Sequence, residues 1–142
     1  NNNSITTVDL LYNTSLQTLN CYVNSLTSLD VSTNTALQTL YCYNNSLTSL
    51  SINPALTCLN CANNSLTSLD ISANNAITYL YCNNNALTQP AVDGILQKLV
   101  SNGQISGSVE LSAGSSAAPS SKASGSNYYT LQNARGWTIV TN

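Results

Sequence analysis

A nine-residue pattern, L-x-x-L-x-C-x-x-N, recurs between Leu16 and Asn85 and constrains the fold more than any other feature of the sequence. Its copies begin at Leu16, Leu37, Leu56 and Ile77, so they lie 21, 19 and 21 residues apart. A second, related unit lies between them, as in LTSLDV, LTSLSI and LTSLDI. Periods of about 20–50 residues are typical of solenoids, in which each repeat forms one coil and stacks on its neighbours.

The pattern also predicts which side chains each coil buries. In a strand, alternate side chains point to opposite faces, so positions 4 and 6 of the repeat face inward and positions 3, 5 and 7 face outward. Strands of successive coils then pair in parallel. Two columns of asparagine mark two turns per coil, where amide groups can satisfy backbone groups. These columns are Asn24, Asn45, Asn64 and Asn85, and Asn13, Asn34, Asn53 and Asn74.

Over residues 5–87 the sequence resembles the leucine-rich repeats, and in particular the short bacterial IRREKO class with consensus LxxLxCxxNxLxxLxLxxN. The resemblance implies an α/β solenoid, a right-handed coil with parallel β-strands, with about four coils in residues 1–87. The first coil begins in mid-repeat at Ile5 without a recognisable N-terminal cap. We therefore expect a longer parent protein, or self-association through this N-terminal coil.

Residues 88–142 depart from the repeat and are predicted to form a C-terminal capping module of order α-β-α-β. Pro90 fits the first helical position, an apolar stripe from Val92 to Val100 follows helical spacing, and Gly103 ends the helix. Strands are expected over 108–111 and 137–140, a helix over 128–134, and Trp137 in the core. This region resembles the C-terminal module of bacterial and bacteriophage surface or tail-associated proteins through ALTQPAVDGILQKLV and ARGWTIVTN.

Four of the five cysteines occupy one inward repeat position: Cys21, Cys42, Cys61 and Cys82. Side chains that point in parallel along one column suit disulfides poorly, so we expect small, buried, free thiols. Alternation places Cys58 on the outside. Asp9, Asp30 and Asp70 share an outward position that could bind calcium, but Ser51 interrupts this column and favours a local capping role. We expect no metal site.

Composition excludes several classes of function. Only 6% of the residues are charged and the net charge is −2, so the sequence lacks the basic surface that nucleic acid requires. No apolar run approaches the ~20 residues that span a bilayer, so we expect no membrane insertion. The chain has no His and no motif that pairs a nucleophile with a base, so we expect neither catalytic residues nor a cofactor.

Five of the eight tyrosines fall on the outward positions of the first strand, together with asparagine. Tyrosine and asparagine are typical of recognition surfaces, and aromatic rings also stack on sugars. High strand propensity of tyrosine is the alternative reading. The candidate ligand-binding residues are Tyr22, Tyr41, Tyr43, Tyr79, Tyr81, Asn20, Asn60 and Asn83.

These observations predict a non-enzymatic recognition or adhesion module that binds a protein or glycan ligand, in an extracellular setting or at a cell or virion surface. The alternative is a structural subunit of an extracellular filament or phage fibre that assembles through the uncapped end of the solenoid. A third possibility, an ice- or crystal-surface binder, would use the threonine column Thr27, Thr48, Thr67 and Thr88.

Overall fold

The computed structural model describes residues 3–112, 114, 116–123 and 125–142. In chain order its elements are β1 (Thr18–Asn20), β2 (Ser28–Asp30), β3 (Thr39–Tyr41), β4 (Ser49–Ser51), β5 (Cys58–Asn60), β6 (Tyr79–Tyr81), α1 (Gln89–Ser101), β7 (Gly107–Glu110), α2 (Asn127–Tyr129), a π-helical turn (Thr130–Ala134) and β8 (Trp137–Val140). None of the helices in these described ranges is long and apolar enough to cross a membrane.

Six strands form one parallel sheet in the order β1-β3-β5-β6-β7-β8. The register places one inward residue of each strand in a single row: Leu19, Leu40, Leu59, Leu80, Val109 and Ile139. The side chains of Leu40, Leu59, Leu80 and Val109 have no solvent exposure. The predicted parallel stacking of the coils, with leucine inside, is confirmed.

The second side of the coils carries a smaller sheet. Strands β2 and β4 pair in parallel, with Leu29 opposite Leu50. The third copy, from Leu66 to Ile71, buries its apolar residues but forms no strand within the described chain. A cleft of about 520 Å³ separates this copy from helix α1.

The asparagine columns bind backbone groups as predicted. Asn64 shows the pattern for the first column: its Oδ1 accepts a hydrogen bond from the Leu47 N–H at 2.9 Å, and its Nδ2 donates to the carbonyls of Cys42 and Cys61 at 3.1 and 3.0 Å. In the second column, Asn74 donates to the Asn53 carbonyl at 2.8 Å. The side chains therefore bridge successive coils at both turns.

The residue before each first-column asparagine adopts a left-handed backbone. Asn44, Asn63 and Asn84 have φ values of 53° to 54°, and Val23 occupies the same position with φ 53°. Asparagine tolerates this conformation, whereas a β-branched side chain is strained in it. The sequence analysis did not predict this left-handed position. The Asn-Asn pairs in three of the four copies indicate it, because asparagine is common in that conformation.

The cysteine column is confirmed as a set of free thiols in the core. Cys42, Cys61 and Cys82 have no solvent exposure, Cys21 is half-buried, and all five cysteines are free. The sulfur atoms of Cys61 and Cys82 lie 3.4 Å apart. Burial raises the pKa of Cys21 to about 11, and burial beside Cys61 raises the pKa of Cys42 well above its ordinary value. Burial therefore favours the uncharged thiol at Cys21 and Cys42.

Residues beyond the repeats continue the same sheet. Helix α1 begins at Gln89, so Pro90 is its second residue and not the first as predicted; Thr88 caps it by accepting a hydrogen bond from the Ala91 N–H. Val92, Ile95, Leu96 and Leu99 are buried, and Gly103 follows the helix with φ 71°. Strand β7 begins one residue earlier than expected and pairs with β6.

Trp137 lies in the core as predicted. Its side chain is 3% exposed, and its Nε1 donates a hydrogen bond to the Gln104 carbonyl at 3.1 Å. The expected helix over 128–134 is a short α-helical turn that passes into the π-helical turn at Thr130. That residues 88–142 form a separate capping module stays a prediction.

Candidate binding surface

The outward residues of the large sheet form a surface that we call the tyrosine face. Strand register arranges them in rows that cross the sheet. One row is Thr18, Thr39, Cys58, Tyr79 and Ser108, and the next is Asn20, Tyr41, Asn60, Tyr81 and Glu110. A third row lies just beyond the C-terminal ends of the strands. Backbone hydrogen bonds keep the coils in register there, since the Val23 N–H donates to the Tyr43 carbonyl and the Asn63 N–H donates to the Asn83 carbonyl. It contains Tyr22, Tyr43, Ala62 and Asn83.

Two tyrosines of the third row stack on each other. The ring centroids of Tyr22 and Tyr43 lie 4.5 Å apart with an angle of 6° between the ring planes. Partial burial is the main cause that raises the pKa of Tyr43, and the neighbouring Tyr22 adds to it. These two rings therefore face each other across neighbouring strands.

A groove of about 490 Å³ crosses the middle of the tyrosine face. Its lining residues are Tyr41, Thr57, Cys58, Asn60, Thr78, Tyr79 and Tyr81. The short side chains of β5 form its floor: Asn60 stands between Tyr41 and Tyr81, and Cys58 stands between Thr39 and Tyr79. Tyr41 bounds one side of the groove, and Tyr79 and Tyr81 bound the other. The groove contains hydroxyl and amide groups but no formal charge.

Strand β5 fixes the geometry of this floor. The Cys58 thiol lies 3.8 Å from the Tyr41 hydroxyl, and this contact is the main cause that raises the pKa of Tyr41. The Asn60 Oδ1 accepts a hydrogen bond from the Ala62 N–H at 3.1 Å. The Asn60 amide is thereby oriented, with its Nδ2 group as the donor toward a ligand.

The structure brings the predicted site residues onto one surface, although it spreads them along it. Tyr41, Tyr79, Tyr81 and Asn60 line the groove. Tyr22 and Tyr43 form the stacked pair beside it, and Asn83 belongs to the same row as that pair. Asn20 stands beside Tyr41 at the edge formed by β1. That these eight residues bind a ligand stays a prediction.

Sequence reasoning missed four residues of this surface: Thr57 and Thr78 in the groove lining, and Ser108 and Glu110 on β7. Glu110 of β7 stands next to Tyr81 in the same row and extends the tyrosine face beyond the repeats. The sequence analysis treated residues 88–142 as a separate module, so it did not place β7 in register with β6. The alternation in SVEL, with Val109 and Leu111 inward, was the available signal.

The aspartate column of the other side has a local structural role. Asp9, Asp30 and Asp70 accept hydrogen bonds from the N–H groups two residues ahead, at 3.0, 2.9 and 2.8 Å. Bonds from the Ser32 hydroxyl and N–H lower the pKa of Asp30, and bonds from Ser72 lower that of Asp70. No group of three or more potential metal ligands occurs among the described side chains.

Comparison with known proteins gives one informative likeness. No family model matches the chain, and no curated protein matches it. A solved structure of the functional domain of InlJ from Listeria monocytogenes, which includes a cysteine ladder, is 41% identical in sequence with a TM-score of 0.65. The match covers 77% of this chain and 23% of the InlJ chain.

The cysteine column and the parallel stacking of the coils agree with this likeness. The InlJ structure is described by its cysteine ladder, and Cys42, Cys61 and Cys82 form such a column here. The chain spans about a quarter of the length of the InlJ chain that it matches. The chain thus has a leucine-rich-repeat-like solenoid fold similar to that of a bacterial protein.

Proposed function

We propose that this chain is a non-enzymatic recognition or adhesion module that binds a protein or glycan ligand through the tyrosine face. The observation that carries the proposal is the convergence of five tyrosines on one outward sheet surface with a groove between them. Rigid amphipathic rings lose little conformational entropy on binding, which makes tyrosine a frequent anchor in recognition surfaces.

Strand propensity alone accounts less well for this distribution. Both sides of the coils carry strands, yet the second side has small polar residues at its outward positions, as in Ser28, Ser49 and Ser51. Tyr79 is also 52% exposed, which leaves much of its ring available to another molecule. A tyrosine kept only for packing would be expected to bury more of its ring against its neighbours.

The proposal includes an extracellular setting, at a cell or virion surface. The likeness to InlJ supports a bacterial solenoid of this type, and the low charge favours recognition through neutral hydrogen bonds and ring contacts. The absence of His, and of a paired nucleophile and base in the sequence, supports a module without catalysis.

The test is to measure ligand binding by Tyr41→Ala and Tyr81→Ala variants on a panel of immobilised extracellular proteins and glycans. Tyr41→Ala removes one side of the groove and Tyr81→Ala removes part of the other, so we expect affinity to fall at least about tenfold. Tyr12→Ala is the matched control, because Tyr12 is 88% exposed and lies outside the tyrosine face. Unchanged binding by both groove variants, with circular dichroism like that of the wild type, would show that another surface binds the ligand.

A second candidate function is a structural subunit that assembles through its first coil. Ile5, Val8 and Leu11 in this coil are 44%, 40% and 55% exposed, which favours an apolar contact at this end of the solenoid. Sedimentation and electron microscopy over a range of concentrations test it. Concentration-dependent filaments would support assembly, whereas a monomer at every concentration would count against it.

A further inference from the structure

The third copy of the second repeat unit has a stretch of backbone without a partner. In the two copies before it, β2 and β4 pair in parallel, residue by residue. The third copy begins at Leu66, 19 residues after Leu47 instead of 21, and its residues 68–70 form no strand. Within the described chain, no backbone N–H or carbonyl of residues 68–70 makes a hydrogen bond. We call these three residues the open edge.

Helix α1 explains why no following strand covers the open edge. The Thr88 N–H donates to the Thr67 carbonyl at 3.0 Å, as the Thr48 N–H donates to the Thr27 carbonyl between earlier coils. Thr88 is also the N-cap of α1, so the chain becomes helical where the next strand would begin. A helix uses its own backbone groups internally and cannot pair with a strand. The open edge therefore borders a cleft of about 520 Å³ whose other residues belong to α1.

The lining of this cleft combines buried apolar side chains with small helical residues. Leu69, Ile71 and Ile95 line it and are buried. Helix α1 contributes Ala91 and Gly94, and a Cβ added at Gly94 would meet no other atom within 4 Å. The cleft thus offers apolar contact area and space beside a row of unpaired backbone groups.

The charged groups of the lining are already hydrogen-bonded within the protein. The Asp70 Oδ1 accepts a hydrogen bond from the Ser72 N–H at 2.8 Å, and the Lys98 Nζ donates one to the Asn75 Oδ1 at 2.8 Å. Asp70 and Lys98 are the charged residues of the lining, and their charges cancel. The cleft therefore favours an uncharged occupant.

We propose that the cleft binds an extended, uncharged segment of a partner protein, which adds as a strand to the open edge. Backbone donors and acceptors that alternate along one extended chain are matched by those of a second extended chain, and strand addition to a free edge is an established mode of peptide recognition. A helical segment or a sugar presents no such row of groups.

Alternate side chains of the bound segment contact the apolar lining, since successive side chains of a strand point to opposite faces. A segment of about four residues matches the length from residue 68 to residue 71. This inference goes beyond the proposed function, because no residue of the cleft belongs to the tyrosine face.

The test selects peptides on the native chain. A phage-displayed library of short random linear peptides is selected on the immobilised wild type, and each recovered peptide is then measured on two variants of α1. Gly94→Trp fills the cleft. Gln89→Trp adds the same ring to the first residue of the helix, which is exposed and does not line the cleft. Circular dichroism checks that both variants fold like the wild type.

We expect uncharged peptides in which apolar and polar residues alternate. Their affinity should fall at least about tenfold on Gly94→Trp and stay within about threefold on Gln89→Trp. In a synthetic copy, methylation of alternate backbone nitrogens should abolish binding in one phase, where the N–H groups face the open edge, and preserve it within about threefold in the other. A library without any peptide sensitive to Gly94→Trp, or sensitive peptides that tolerate methylation in both phases, would overturn the proposal.

Hydrogen exchange locates the bound peptide. In the free chain the Leu69 amide should exchange at least about tenfold faster than that of Leu50, because Leu50 is paired with Leu29 in the second sheet. A selected peptide should slow exchange at Leu69 and leave Leu50 unchanged, and unchanged exchange at Leu69 would contradict the site. Protection of Leu69 that rises with protein concentration alone would assign the cleft to a second copy of the chain and overturn a separate partner. Failure of these tests would leave the tyrosine face as a candidate site.

Discussion

Each asparagine at the ninth position of the repeat makes hydrogen bonds that the turn could not make within its own backbone. Asn64 binds the Leu47 N–H of the previous coil and the carbonyls of Cys42 and Cys61, all at 2.9–3.1 Å. Unpaired backbone groups in the interior are costly, so the amide contributes to the stability of the stack. The sequence predicted this role because only a side chain with a donor and an acceptor fits such a turn.

Replacement of Asn64 by Ala should therefore destabilise the chain by about 2–4 kcal/mol, because several buried backbone groups lose their partners. Urea denaturation followed by circular dichroism measures the change. Asn75→Ala is the matched control, since Asn75 is exposed and its side chain accepts a hydrogen bond only from Lys98 in the described chain. Equal effects of the two substitutions would show that the asparagine column contributes little to the free energy of unfolding.

Val23 occupies a left-handed backbone position where the other three copies of the repeat have asparagine. It has φ 53°, as Asn44, Asn63 and Asn84 do, although its side chain is β-branched. Val23→Asn should raise the free energy of unfolding by about 1 kcal/mol, because asparagine relieves this strain. It could also bond Asn44, as Asn84 bonds Asn63 at 2.7 Å.

The reverse change, Asn44→Val, serves as the control and should lower stability by a similar amount in the same denaturation assay. If Val23→Asn is neutral or destabilising, packing of the valine outweighs its backbone strain.

The cysteine column makes the free energy of unfolding depend on pH in the alkaline range. Burial raises the pKa of Cys21 from 9.0 to about 11, and burial with the neighbouring Cys61 raises that of Cys42 well above 9.0. Between pH 9 and 11 the native chain keeps protons that the unfolded chain has lost. The free energy of unfolding should therefore be constant below about pH 9 with respect to these groups and fall as the pH rises above it.

Urea unfolding at pH 8, 9, 10 and 10.5 measures this dependence, and a Cys42→Ala variant should show a shallower decline. A wild-type decline no steeper than that of the variant would contradict the assignment.

At the scale of elements, strand β7 depends on a glycine where two neighbours come close. A Cβ added at Gly107 would lie 2.7 Å from the Thr78 carbonyl oxygen and 2.7 Å from the Trp137 ring. Gly107→Ala should destabilise the chain by about 1–3 kcal/mol, because either the β6–β7 pairing or the tryptophan must move.

Gly94 provides the matched comparison, since it lies within helix α1 and a Cβ there meets nothing within 4 Å. Gly94→Ala should instead stabilise the chain by about 0.5–1 kcal/mol through helix propensity. Thermal denaturation of both variants tests the pair, and the account fails at this point if Gly107→Ala is tolerated as well as Gly94→Ala.

Short-range patterns predicted the elements better than they predicted their joining. Alternation around Leu40 and helical spacing from Val92 to Leu99 fixed which faces are buried, because both patterns repeat over several residues. The alternation in SVEL indicates which residues of β7 face inward, but the pairing of β7 with β6 links residues almost thirty positions apart across a helix, and no local pattern encodes that pairing. The π-helical turn at Thr130–Ala134, in which Leu131 is buried, likewise had no signal in the sequence.

For the whole molecule, strand alternation determines both the fold and the proposed site. The inward residues form the core, and the outward residues form the tyrosine face. The composition and repeat could predict that tyrosines share one face, because strand alternation determines it. The groove could not be predicted in the same way, since it depends on which strand lacks a ring between Tyr41 and Tyr81. That placement required the register across β3, β5 and β6.

Cysteine labelling of the native chain tests this division most directly, because alternation places thiols on both faces. Cys58 lies on the groove floor, whereas Cys42, Cys61 and Cys82 have no solvent exposure. Brief maleimide treatment followed by peptide mass spectrometry should show modification of Cys58 with the three column cysteines unmodified, and a saturating bound ligand should slow the modification of Cys58. Labelling of the column at the rate of Cys58, or a Cys58 rate that bound ligand does not change, would contradict the account.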